Sequence, residues 1–164
     1  MPAYRIRLGQ RRDLEPLLAL FDLVAEERIY IGAEPGYDRE LYRHRFSRMI
    51  AHPEQSPVFV AETQGELVGQ LGIFTHEEFG PMLGMMVAPA WRGRGVGTAL
   101  LDAAFTWART ARLRALSLLV FTHNGRAIGL YRAMGFAEVE RYERDVTRRN
   151  GEVWDTMLMR KDFP

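Results

Sequence analysis

The chain contains no cysteine, which removes disulfides, thiolate metal ligands and a cysteine nucleophile together. Lysine is almost absent as well. Lys161 is the only one, so nearly all positive charge is arginine, which does not deprotonate near neutrality. A general base must therefore come from Glu, Asp, His, Tyr or water. Histidine is sparse and scattered (His44, His52, His76, His123), and no metal site is expected. No apolar run reaches the roughly 18 residues of a membrane helix, and Met1-Pro2-Ala3-Tyr4-Arg5 lacks the order of a secretory signal. Membrane association is thus not expected, and the cytoplasm is the default location. Neither sign of charge dominates. A formal net charge of +1 supplies no whole-molecule field for nucleic acid, so the expected partner is a small molecule or a peptide.

What is present fits one globular domain over residues 1–164, with 47% hydrophobic and 26% charged residues and enough chain for one substantial core. Residues 4–8 alternate as a strand, and residues 12–29 carry Leu14, Leu17, Leu18, Phe21, Val24 and Ala25 at helical spacing. Gly32, Pro35 and Gly36 predict a loop over 31–37, after which Asp38 caps a second helix running to about His52. Residues 58–61 and 67–74 flank Gln64-Gly65 as a hairpin, and residues 82–87 follow Gly80-Pro81 as a third strand. A helix over 95–109 and a strand over 116–121 complete the βαβ order of a parallel pair. A short helix over 124–134 stops at Gly135, and two closing strands surround Asn150-Gly151, a type I′ hairpin signal. There is no internal repeat, linker or low-complexity tract.

The most informative stretch is Val87-Ala88-Pro89-Ala90-Trp91-Arg92-Gly93-Arg94-Gly95-Val96-Gly97-Thr98. Alternate glycines between a strand and a helix let backbone approach a ligand closely, and the unpaired N–H groups of a helix start attract anions. Arg92 and Arg94 add charge-assisted donors suited to a pyrophosphate. The dinucleotide fingerprint and the nucleotide-triphosphate loop both fail here, because Gly95 is followed by Gly97 and no lysine is present. By itself the loop defines an anion site.

A second segment, Thr122-His123-Asn124-Gly125-Arg126-Ala127-Ile128-Gly129-Leu130-Tyr131 with Gly135-Phe136 after it, begins at the C-terminal end of the next strand, the usual ligand side of an α/β sheet. Arg-x-x-Gly-x-Gly (Arg92, Gly95, Gly97) followed by Asn-x-x-Ala-x-x-Leu-Tyr and Gly-Phe resembles the GCN5-related N-acetyltransferase (GNAT) family. The specific motifs cover about residues 87–136, and the order of elements extends the likeness over nearly the whole chain.

The resemblance implies an α/β fold of mixed α+β character. Its central twisted sheet has about seven mostly antiparallel strands with a parallel central pair, flanked by about four helices. It implies acetyl-CoA as cosubstrate, with backbone at Met85, Met86 and Val87 bonding the pantetheine arm and Arg92, Gly93, Arg94, Gly95, Val96, Gly97 and Thr98 wrapping the pyrophosphate. Asn124 and Arg126 join the cosubstrate side, and Tyr131 faces the sulfur as general acid. Relatives splay the two central strands at a bulge, for which Gly84 is the expected place. An N–H at Met86 or Val87 is the expected oxyanion donor. Many relatives carry a Glu on the strand that is Met82-Leu83-Gly84-Met85-Met86 here, and this chain has none, so the base is left among Glu77, Glu78, His123 and water. Without cysteine, direct attack in a ternary complex is expected.

The amine acceptor is expected between the first interhelical loop and the last hairpin, with Tyr30, Glu34, Tyr37 and Glu77 as candidate contacts and Tyr142 and Trp154 as further aromatic walls. A homodimer is the family default. Two other readings compete. A non-catalytic acyl-CoA-binding module needs the glycine loop but no acid. A nucleic-acid binder would use Arg141, Arg144, Arg148 and Arg149, but Glu138, Glu140, Glu143 and Asp145 interleave with them as on a solvated strand face.

Overall fold

The computed structural model describes residues 3–164; Met1 and Pro2 of the opening segment lie outside the described residues. Strand β1 (Arg5–Leu8) leads through a short 3-10 turn into α1 (Leu14–Ala25) and then α2 (Arg39–Ala51). The meander β2 (Val58–Thr63), β3 (Glu66–His76), β4 (Gly80–Val87) follows. After it come α3 (Val96–Thr110), β5 (Ala115–Phe121), α4 (Gly125–Ala133), β6 (Ala137–Thr147) and β7 (Val153–Asp162). The seven strands form one sheet in the order β1-β2-β3-β4-β5-β7-β6, antiparallel except for the central β4–β5 pair. Among the described residues no helix is long and apolar enough to cross a membrane.

Two glycines of β3 let helices onto both faces of the sheet. A Cβ at Gly69 would meet Val96 at 2.9 Å and Leu100 at 3.2 Å on α3. At Gly72, three residues on and therefore on the other face, it would meet Met49 of α2 at 2.5 Å. Helix α1 joins α2 on that second face through Phe21, which packs on Tyr42 (4.3 Å between centroids) and Phe46 (6.2 Å). Helix α4 lies beside α3, where Gly97 leaves room for Leu130, and Tyr131, Phe136 and Phe105 form an aromatic row between them. Buried Leu17, Leu18, Leu71, Leu100, Leu101, Leu116 and Leu118 form the bulk of the core.

Four local expectations change. The first helix stops at Ala25, not near residue 29: Arg28 adopts a left-handed φ of 59° and its N–H bonds back to Ala25 O at 3.0 Å, which ends the helical ladder. The last hairpin is not a two-residue type I′ turn. Arg148 N–H pairs with Glu152 O at 2.7 Å, so three residues turn the chain and of these only Gly151 has positive φ. Gly84 carries no bulge, being paired in register with Gly72. Finally, Arg148 does not stand on a solvated strand face; it is 4% exposed.

Candidate active site

Strands β4 and β5 touch at a single bridge, Met82 to Ser117, and diverge beyond it. The remainder of β4 keeps its β3 partner on one edge and leaves the other open. Ala88 N–H donates to Val68 O at 2.8 Å. By the two-residue alternation the N–H groups of Met86 and Gly84 also face β3, while those of Met85 and Val87 face the open edge. Of the two N–H groups expected from sequence, Val87 therefore points into the cleft and Met86 does not. The side chains divide the opposite way, Met86 being buried in the core and Met85 reaching Gly97.

At the end of β4 the chain makes a 3-10 turn over Pro89–Trp91 and enters α3 through glycines with positive φ, Gly93 at 72° and Gly95 at 82°. The first hydrogen bond of α3 runs from Ala99 N–H to Gly95 O at 3.0 Å. Among the described residues no acceptor is found for the N–H groups of Gly93, Arg94, Gly95, Val96, Gly97 and Thr98. This is the geometry of an anion cradle at a helix start. The two arginines have different surroundings. Arg94 is exposed, its guanidinium 4.9 Å from the Trp91 ring centroid. Arg92 is half-buried and already paired: its Nη1 and Nη2 donate to both oxygens of Glu27 (2.8 and 2.7 Å), its Nε donates to Val87 O (3.1 Å), and it lies over the Tyr30 ring. It ties the loop to the end of α1.

Helix α4 begins at Asn124, whose Oδ1 accepts from Ala127 N–H at 3.3 Å and so caps the helix. Arg126 is exposed on its first turn. Tyr131 is 6% exposed, and burial pushes its pKa up to about 12. Its hydroxyl has no side-chain or backbone hydrogen-bond partner among the described residues.

The acceptor candidates scatter. Tyr30 is exposed and stacked under Arg92. Tyr37 turns into the helical layer, its hydroxyl donating to Asp22, and burial with that carboxylate raises its pKa. Glu34 accepts from Arg149 N–H at 3.2 Å and lies 3.8 Å from Arg148 Nε. Glu77 is exposed at the β3–β4 turn, and Tyr142 packs near Phe79, 6.3 Å between ring centroids. A depression of about 510 Å³ instead gathers Ile29, His123, Glu152, Val153 and Trp154. His123 stacks on Phe121 (5.4 Å) and meets Trp154 (4.6 Å), and its Nε2 is 2.8 Å from Ile29 O. A carbonyl accepts only, so Nε2 is the donor in this contact. Neither Ile29 nor Glu152 had a motif to announce it, because they meet only through the fold.

A phosphate-ready glycine loop beside an opened parallel pair defines an acyltransferase fold. The chain belongs to the acetyltransferase (GNAT) family, whose profile matches residues 17–136, and is an enzyme of that family. It is 29% identical over 165 residues to the L-amino acid N-acetyltransferase AaaT of Escherichia coli (strain K12), covering 94% of each chain. It is 28% identical over 149 residues to an uncharacterized N-acetyltransferase of Methanocaldococcus jannaschii, covering 84% of this chain and spanning only 62% of that protein's length. Among solved structures, ribosomal-protein-alanine N-acetyltransferase from Brucella melitensis superposes with a TM-score of 0.85 at 29% identity, over 97% of this chain and 99% of that one.

Proposed function

We propose that the chain transfers an acetyl group from acetyl-CoA to a primary amine by direct attack within a ternary complex, on one catalytic domain. The observation that carries this reading is the open edge of β4, with Met85 and Val87 N–H groups facing the cleft immediately before the glycine cradle. The cradle suits the pyrophosphate, with Arg94 as the free guanidinium, and the open edge suits the pantetheine amides.

An amine of ordinary pKa near 10.4 must lose a proton before attack. The nitrogen then bonds to the thioester carbon, Val87 N–H donates to the developing oxyanion, and the carbon–sulfur bond breaks. Tyr131 faces the departing thiolate. With a pKa pushed up to about 12, well above the roughly 8.5 of a thiol, the phenol stabilises the thiolate by donating a hydrogen bond, and solvent completes the protonation. The proton leaving the amine goes to water or to Nδ1 of His123, a residue that lines the proposed acceptor depression. The names of the relatives, one an L-amino acid enzyme and one a ribosomal-protein-alanine enzyme, support a primary amine acceptor, free or peptidic.

The test is free-thiol release from acetyl-CoA across a panel of amines, for wild type and Tyr131→Phe, with coenzyme A affinity measured by calorimetry in both. Amine-dependent release that falls about 10- to 100-fold in the variant, with affinity kept, is expected. Tight binding without turnover on any amine would favour the acyl-CoA-binding module.

A further inference from the structure

Residues 28–32 form a loop whose carbonyls converge. Arg28 O, Ile29 O, Ile31 O and Gly32 O all accept hydrogen bonds from side chains of other elements. Convergent carbonyl dipoles repel one another, and Arg28 has the strained left-handed φ of 59°, so this conformation needs a donor at its centre. Arg148 is that donor. Its Nη1 donates to Ile31 O (3.2 Å) and Gly32 O (3.0 Å), its Nη2 donates to Arg28 O (3.3 Å), and its Nε lies 3.8 Å from Glu34. The guanidinium is also stacked 4.2 Å from the Trp154 ring centroid and 5.8 Å from Phe121.

One buried side chain thus orders both walls of the depression beside His123: the loop wall through the carbonyls flanking Ile29, and the strand wall through Trp154. We propose that Arg148 is a positioning residue for the acceptor amine, holding residues 28–34 and Trp154 in the arrangement the acceptor enters. The inference rests on the acetyltransferase reading above for its kinetic consequence and on geometry alone for the restraint itself. Donor binding belongs to a different set of groups, the cradle N–H groups and Arg94, although Arg92 also joins the cradle to this loop by pairing with Glu27 and lying over Tyr30. Arginine is required because its planar fork offers five donors in fixed directions, whereas a lysine ammonium is a point charge on a flexible stem.

The experiment compares wild type with Arg148→Lys in acceptor KM, kcat, coenzyme A affinity and amide hydrogen exchange resolved to peptides covering residues 27–36. Acceptor KM is expected to rise about tenfold or more while kcat stays within about threefold, the pattern of lost substrate positioning rather than lost chemistry. Coenzyme A affinity should be unchanged, and exchange should quicken in residues 28–34 but not in the β2–β4 meander. Glu34→Gln, which removes one loop anchor and leaves the buried guanidinium, should raise acceptor KM in the same direction by a smaller factor; it decides the matter if Arg148→Lys does not fold. Unchanged exchange in residues 28–34 would overturn the restraint whatever the amine activity. Loss of donor affinity in step with acceptor KM would overturn the positioning role and mark Arg148 as a general structural residue. Absence of turnover in wild type on every amine would instead count against the acetyltransferase reading, with exchange still deciding the restraint.

Discussion

Tyr131 is buried, and the raised pKa of about 12 that burial gives its phenol carries a definite sign. The folded value lies above the unfolded one of about 10, so the phenol is neutral in both states below pH 10, and its stabilising contribution is lost as pH rises from about 10 through 12. Two outcomes follow. Between pH 6 and 9 the profile of kcat/KM for Tyr131→Phe should be lowered without a change of shape, and a shifted limb would show that the phenol titrates during turnover. Alkaline unfolding should begin later in Tyr131→Phe than in wild type, as read by circular dichroism. Gly95 makes a separate demand on residue type. Its φ of 82° and a would-be Cβ 3.2 Å from the Tyr4 hydroxyl oxygen disfavour any side chain. Gly95→Ala should cost about 1–2 kcal/mol in thermal unfolding and weaken coenzyme A binding by distorting the cradle.

Elements are joined by ionic contacts that no periodicity announces. Arg7 of β1 donates to both oxygens of Asp13 (2.7 and 2.9 Å) and to Glu62 of β2 (2.7 Å), tying the entry to α1 onto the sheet edge. Burial pushes the Asp13 carboxyl upward, but the hydrogen bonds from Arg7 and from Gln10 N–H outweigh it and hold the carboxyl below its ordinary value. A depressed folded pKa means stability present above the unfolded value of about 4 and lost as pH falls through the folded one. Asp13→Asn should therefore lose about 3 kcal/mol at neutral pH, because Arg7 keeps its buried charge without that partner. Its stability should also fall less steeply with pH below about 4, measured by denaturant titration at several pH values. Equal stability losses at pH 7 and pH 3 would remove the ion pair from the explanation. The helices and strands themselves were readable from residue spacing, since apolar periodicity reports burial directly. Their ends were less so: α1 stops where Arg28 turns left-handed, and the last hairpin turns through three residues, because contacts with distant parts of the chain set both.

For the whole molecule, the loop between α1 and α2 is held from two sides, by Arg92 of the glycine turn through Glu27 and Tyr30 and by Arg148 of the last hairpin through the carbonyls of Arg28, Ile31 and Gly32. With no cysteine to carry an acyl group, initial-velocity lines for varied donor and acceptor should intersect; parallel lines would require an acyl-enzyme on another nucleophile. The sequence by itself determined the strand and helix order, the glycine-rich turn from Gly93 to Gly97 at the start of α3 and the candidate Tyr131, because each of these depends on residues close together in the chain. Only the tertiary structure decided that β4 and β5 part after Met82, that Arg92 serves Glu27 and Arg148 serves the loop carbonyls, and that Ile29, His123, Glu152 and Trp154 share one depression. The arginine pairings span 65 to 120 residues of chain, and the charge of an arginine does not reveal which distant acceptor its fork will meet.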